Sequence, residues 1–452
     1  MSKRGWLAAV LGGLLIVSQH AEAQLIISEF RWRGTGGVND ELVEIYNSSN
    51  SDVTVNAAGS SGFALVASDG VTRFIIPNGT VIPARGHYLG CNSGGYSLAN
   101  YPAGNGATAT CDATYMTNIS GGEDPDGGGP TPPLPRRGIA LFRTANAGNF
   151  TLANRLDALG PSQEPNTLYK EGAGVRNLDG NLNAAYAYVR RLPGGCIGTA
   201  ADQVDSNCAS AVSIRDTGES PAAFPQDTND NRADFIFVEP SGVTLNTEPG
   251  PQARVGAPGP ENLTSPIVRN ASMKIELVDP NACISCSPNQ VRDLTSAPPS
   301  APFGSLFIRR KIVNNTGANV TRLRFRIEDI TTFPAGVFNL PAGASCADST
   351  ASCAAELWAL TSSDVVVALM GGGTATVRGT TLEQASGAEG QPNGGGYNSS
   401  LSANTITLAT PLPPVDDPAT PNIQENAINV QFRLGVRQDG VFRFGINVEV
   451  LP

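Results

Sequence analysis

The first residues with chemical potential are three carboxylates on two short apolar runs. In ISEFRWRGTGGVNDELVEIYN, Ile27 to Asn47, Glu29 lies on the first run and Glu41 and Glu44 on the second, with a glycine-rich loop between them. Side chains alternate along a strand, so Leu42, Glu44 and Tyr46 share one face while Val43 and Ile45 take the other. A hairpin centred on Gly36-Gly37 would set Glu29 roughly opposite Glu44. Two carboxylates that close raise one another's pKa, which is the arrangement acid/base hydrolysis uses. In the structural alternative, Arg31, Arg33, Arg73 or Arg85 compensates the pair and the cluster fixes register.

Other chemistry is sparser. After residue 23 the only histidine is His87, and no G-x-S-x-G elbow presents a nucleophile to it, so it reads as a strand residue. Asp227, Asn229 and Asn231 have the 1, 3, 5 spacing of a calcium loop, with Asp230 and Asp234 adding oxygens. Arg232 and Val238 stand where an EF-hand needs glycine and glutamate, and Asx residues also cap their own turns. The calcium set is therefore Asp227, Asn229, Asn231 and Asp234; Glu123, Asp124 and Asp126 form a poorer one. Trp32, flanked by Arg31 and Arg33, is the best contact residue, since an aromatic between guanidiniums can stack on and pair with an anionic partner. The alternative is a tryptophan packed at a sandwich rim. Basic residues recur on the later strands, Arg309, Arg310 and Lys311 in succession and then Arg322, Arg324 and Arg326 opposite Leu323, Phe325 and Ile327, as on a solvated sheet face or a polyanion-binding stripe.

These residues must be positioned by a chain of 452 residues with 51 Gly, 33 Pro and 15% charged residues, a turn-rich composition that favours short strands over long helices. Met1–Ala23 has the layout of a secretory signal: Lys3 and Arg4, the apolar run from Leu7 to Val17, and Ala21-Glu22-Ala23 before Gln24. No spanning helix follows, so the expectation is a protein secreted to the extracellular space or periplasm, without a membrane span. Removing the leader leaves 28 Lys and Arg against 39 Asp and Glu, a net charge of −11, which disfavours nucleic acid as a general partner. The 8 cysteines fall in near neighbours, Cys91 and Cys111, Cys196 and Cys208, Cys283 and Cys286, Cys346 and Cys353, and read as loop-stapling disulfides, with other pairings open within the last four. Structural zinc would need histidines or a second C-x-x-C.

Short β-branched and aromatic runs separated by turns fill residues 24–240: Leu25 to Phe30, Glu41 to Tyr46, Asp52 to Val55, Phe63 to Ala67, Thr72 to Ile76, His87 to Gly90, Gly138 to Arg143, Tyr186 to Arg190 and Ala233 to Val238. Two polar insertions, about 92–137 and 193–226, interrupt them. Residues 241–265 read as a Pro/Gly-rich linker, and 266–452 carries a second set, among them Met273 to Val278, Ser305 to Val313, Arg322 to Ile327, Thr405 to Ala409 and Ile428 to Leu434. The expected fold is all-β, two β-sandwiches in series.

The succession IISEF, DELVEIYN, V-T-V, G-F-A-L and V-I-P-A-R-G-H-Y-L resembles the lamin tail domain, an immunoglobulin-like sandwich found in nuclear lamins and in exported bacterial proteins. Asp227-Thr-Asn-Asp-Asn-Arg-Ala-Asp-Phe235, after Arg190, is similar to the closing region of bacterial members. The likeness covers Leu25 to about Pro240; Phe63 replaces the family's usual tryptophan, and the insertions double its length. Because the glutamates belong to the family's strand pattern, the resemblance implies that they are structural. The expectation is a non-enzymatic binding or surface-associated protein with an unidentified protein or polysaccharide partner, next a calcium-dependent adhesin-like module, and last a secreted hydrolase using Glu29 and Glu44.

Overall fold

The computed structural model describes residues 25–34, 36–49, 51–98, 110–119, 137–175, 186–190, 218–219, 227–238, 260–265, 273–295, 301–330, 356–382, 400–416, 419, 424–438 and 444–450. Among them strands dominate, and the one α-helix is the single turn Asn231–Asp234. In chain order the first strands are β1 (Leu25–Arg33), β2 (Leu42–Asn47), β3 (Val53–Thr54), β4 (Gly62–Ala67), β5 (Thr72–Pro77), β6 (Val81–Ile82), β7 (His87–Asn92), β8 (Ala113–Tyr115), β9 (Ile139–Phe142), β10 (Arg155–Leu159), β11 (Tyr186–Arg190), β12 (Gly218–Glu219) and β13 (Phe235–Val238). One sheet runs β13-β11-β1-β2-β7-β8 and the other β10-β9-β4-β5, with β3-β6 as a separate ribbon.

Their inner faces make one core. Phe30, Trp32, Val43, Ile45 and Tyr88 of the larger sheet meet Leu65, Phe74, Ile76, Leu141 and Leu159 of the smaller, each such side chain contributing roughly 1.5–3 kcal/mol by leaving water. The first unit is therefore a sandwich. Glycine at Gly90 is required by this packing, because a Cβ there would lie 2.1 Å from the Phe74 ring.

The second unit follows as β14 (Met273–Leu277), β15 (Gln290–Asp293), β16 (Ser305–Asn314), β17 (Leu323–Ile330), β18 (Glu356–Leu360), β19 (Val365–Ala368), β20 (Thr374–Gly379), β21 (Thr381–Leu382), β22 (Ser400–Ser402), β23 (Ala427–Gln438) and β24 (Phe444–Val450). A sheet ordered β12-β14-β16-β23-β20-β19, with β15 on β16 and β18 on β23, faces the sheet β21-β22-β17-β24. Phe325, Phe432 and Phe444 join the two faces, so the chain is all-β with a second sandwich, as its alternation implies.

Several boundaries differ from the sequence expectation. Thr405 to Ala409 is a turn: the Thr410 amide donates to the carbonyl and hydroxyl of Thr407, a local bond that β-branched composition does not reveal. Both expected insertions contribute strands. β8 lies parallel to β7, and β12, within 193–226, pairs with β14 of the second unit. The end of the expected linker, residues 260–265, is packed, with Glu261 and Asn262 buried. Disulfides join Cys91 to Cys111 and Cys283 to Cys286; Cys196–Cys208 and Cys346–Cys353 lie outside the described residues, as do Glu123, Asp124 and Asp126.

Candidate functional site: the buried carboxylates

β1 and β2 pair with Glu29 opposite Glu44, the register the hairpin centre implies. Both are enclosed, at 3% and 1% exposure. For Glu44 the reason lies on the outer face of the larger sheet, where residues 260–265 pack against the carboxylate that the alternation directs there. Glu44 Oε1 accepts from the Ser28 hydroxyl at 2.5 Å, and its Oε2 from the Glu261 amide at 2.6 Å. His87, on the adjacent strand β7, puts Nδ1 2.9 Å from the Glu261 carboxylate and Nε2 3.8 Å from Glu44. Arg324 on β17 closes the set with a 2.9 Å contact to Glu261. This arrangement joins the two sandwiches through a buried polar seam; Ser28 is tied to Glu44, and His87 lies between carboxylates.

Three of the arginines expected to compensate Glu29 and Glu44 have partners of their own, Arg31 among them with Asp40. Arg73 pairs with Asp69, and Arg85 donates to the Ser48 carbonyl. Burial pushes the Asp69 carboxyl up, but bonds from the Arg73 guanidinium and the Val71 amide outweigh it and hold the carboxyl below its ordinary value. Glu41 accepts from the Ile119 amide and the Asn92 side chain, fastening the Cys91–Cys111 loop.

The proposed contact residues Trp32, Arg31 and Arg33 are corrected by burial, at 0%, 1% and 7% exposure. Trp32 packs edge-on against Phe30 and Tyr188, 4.6 and 5.4 Å between ring centres, in the middle of the core. Arg31 points the other way, bonding the Asp40 carboxylate and the Ser97 carbonyl and lying over the Tyr96 ring. Trp32 on one face of β1 and Arg31 on the other are thus both enclosed, and neither is presented to a partner. Within the basic stripe Arg310 and Arg324 are fully enclosed and Arg309 nearly so, Lys311 pairs with Glu276, and Arg322 is half-buried.

The expected calcium set is also rearranged. Asn231 points inward, its Oδ1 receiving the Gly160 and Glu171 amides while its Nδ2 donates to the Ala158 carbonyl. Asp234, at the end of the short helical turn that Asp230 caps, accepts from the Thr228 amide and hydroxyl and from the Asp230 amide. Asn229 is exposed, with φ +58°. Backbone and turn bonding thus consumes two of the four, Asn231 and Asp234, while Asp227 accepts the Asn229 amide and is the member grouped with other carboxylates.

Those neighbours are Asp157 on β10 and Glu171 on the following turn, with one oxygen of each of the three within 4.8 Å of the others. Arg190 on β11 reaches Asp157 at 2.5 Å and stands 3.5 Å from both Asp227 and Asp234; Arg155 holds Glu171 at 3.0 Å. Burial would depress the Arg190 guanidinium, yet four surrounding carboxylates raise it. Asp227 is pushed up by burial and by the Asp157 charge. Glu171 is pushed up to about 9 by burial first and then by Asp157. The folded chain therefore holds a proton on Glu171 that the unfolded chain releases, so this contribution to stability is full below 4.5 and lost as pH rises through about 9. Glu171→Gln is expected to flatten that decline in chelator-treated buffer, and an unchanged pH profile of the unfolding midpoint would refute the assignment.

Sequence reasoning missed Asp157, Glu171 and Glu261. A charge in the middle of the short apolar run RLDAL was the one available signal for Asp157; the other two carry none. Comparison with family models, with curated proteins and with solved structures yields no match to this chain.

Proposed function

We propose that this chain is an exported binding or surface-associated protein, built on a lamin-tail-like sandwich joined to a second sandwich, and that it acts through contacts and not through catalysis. The observation that carries the reading is the enclosure of Glu29 and Glu44. The carboxylate pair that could have served a hydrolase lies at 3% and 1% exposure, and both oxygens of Glu44 are bonded within the fold. Hydrolysis needs a carboxyl within reach of the substrate's proton. The Met1–Ala23 leader pattern and the Cys91–Cys111 disulfide agree with an oxidising compartment. DELVEIYN, in which Val43 and Ile45 build the core and Glu44 the seam, supports the lamin-tail likeness.

The partner class is a protein or polysaccharide of the cell surface. Labelled mature protein is expected to bind an envelope fraction saturably, without turnover of polysaccharide or peptide substrates. Hydrolase activity that disappears in a folded Glu44→Gln variant would overturn the proposal, as would the absence of saturable binding.

A further inference from the structure

We propose that Asp157, Glu171 and Asp227 form a calcium site on the first sandwich. Their three oxygens lie within 4.8 Å of one another, close enough to share one ion at ligand distances of roughly 2.3–2.6 Å. The second observation is Glu171 itself. Its residue is 5% exposed and its Oε2 is buried without a hydrogen-bond partner, while Oε1 takes Arg155. Buried carboxylate oxygens are almost always satisfied, and an orphan of this kind marks the place of an ion or a water.

Charge agrees. Counted with every carboxylate ionised, as metal ligation requires, Asp157, Glu171, Asp227 and Asp234 around the guanidiniums of Arg155 and Arg190 leave a formal excess equal to one divalent cation. The arginines do not reach the orphaned oxygen: Arg155 sits on Oε1, and Arg190 bonds Asp157. Every candidate donor is oxygen, which selects a hard cation. The positions are irregular, because Asp157 and Glu171 must also hold arginines; calcium accepts such geometry, whereas magnesium demands a near-ideal octahedron.

The frame is rigid before any ion arrives. Asn231 receives the Glu171 amide, and Asp230 receives the Ala173 amide at 3.0 Å, so the turn carrying Glu171 and the loop carrying Asp227 are bonded to each other. Asp227, at 16% side-chain exposure, is the open side. Asx residues of 227–234 thus build the site's walls, while two of its three ligands come from elsewhere in the chain.

The test is calorimetric titration of the chelator-treated mature chain with calcium chloride, alongside thermal melting. One site is expected, with Kd on the order of 10⁻⁴–10⁻³ M and a melting temperature raised by about 5 °C at roughly 10 mM calcium. Asp227→Asn and Glu171→Gln, each first shown folded by circular dichroism in chelator, should weaken binding at least ~10-fold, the size of effect expected when one ligand of a charged site is lost. Absence of a calcium effect on the natural chain overturns the proposal. So does a full effect retained in either folded variant, or an equal response to magnesium chloride, which would mark simple screening of an acidic chain.

Discussion

Arg190→Met is expected to lower the stability of the first sandwich by about 3–5 kcal/mol, the usual cost of removing one partner from a buried ion pair. Arg190 does more than neutralise. β1 shifts register between Ile27 and Glu29, and at this irregularity the backbone is bonded by side chains: the Ile27 amide donates to Asp157 Oδ2 at 2.6 Å, and the Ile27 carbonyl accepts from Arg190 Nε at 2.8 Å. Its guanidinium also lies 4.5 Å from the centre of the Phe235 ring. Methionine fills the volume but leaves Asp157 charged and the Ile27 carbonyl without its donor. Lysine should recover only part of the loss, because a single ammonium cannot bond the carbonyl and the carboxylate in the fork geometry of arginine. The measurement is the denaturant midpoint of the first unit; a shift equivalent to less than about 1 kcal/mol would show that the cluster does not hold the sheet.

Glu261→Gln should free the seam between the sandwiches. Glu261 is 2% exposed, and its carboxylate lies 2.9 Å from both His87 Nδ1 and the Arg324 guanidinium, so the substitution removes a charge that faces the enclosed Arg324. Two amides report the result directly: Glu261 donates to Glu44, and Leu263 donates to Asp112. Their hydrogen-exchange protection is expected to fall ~100-fold, corresponding to roughly 3 kcal/mol of local stability. Protection of amides in the core strands β2 and β23 should be retained. A change of less than about threefold at Glu261 and Leu263 would mean that apolar contacts, such as those of Ala187 and Val189 with the second core, hold the units together without the ion pairs.

Local patterns were legible wherever one residue's neighbours along the chain decide its place. Alternation located β1, β2, β4, β5, β7 and β23 within a few residues, and the glycine pair in the hairpin loop set Glu29 against Glu44. β10 escaped because Arg155 and Asp157 interrupt its apolar run. β12 escaped because Gly218–Glu219 offers no apolar residue to read. The reading of Asp227 to Asp234 as one ligand set failed for a related reason. Spacing along a loop matches a calcium motif whether the side chains turn outward to an ion or inward, as Asn231 does, to backbone amides.

By itself the sequence determined the all-β class, the faces on which side chains lie and the disulfide closing the 91–111 loop, since period-two alternation and short Cys spacing are local properties. Only the tertiary structure decided what covers those faces. Arg324 and Glu44 belong to strands that read as half solvated, yet a segment from the expected linker lies between them and removes both from water. Asp157, Glu171, Arg190 and Asp227 meet across large separations in the chain. Whether a carboxylate is a surface charge, a clamp or a ligand depends on how completely its surroundings replace water, and that is fixed by packing between elements.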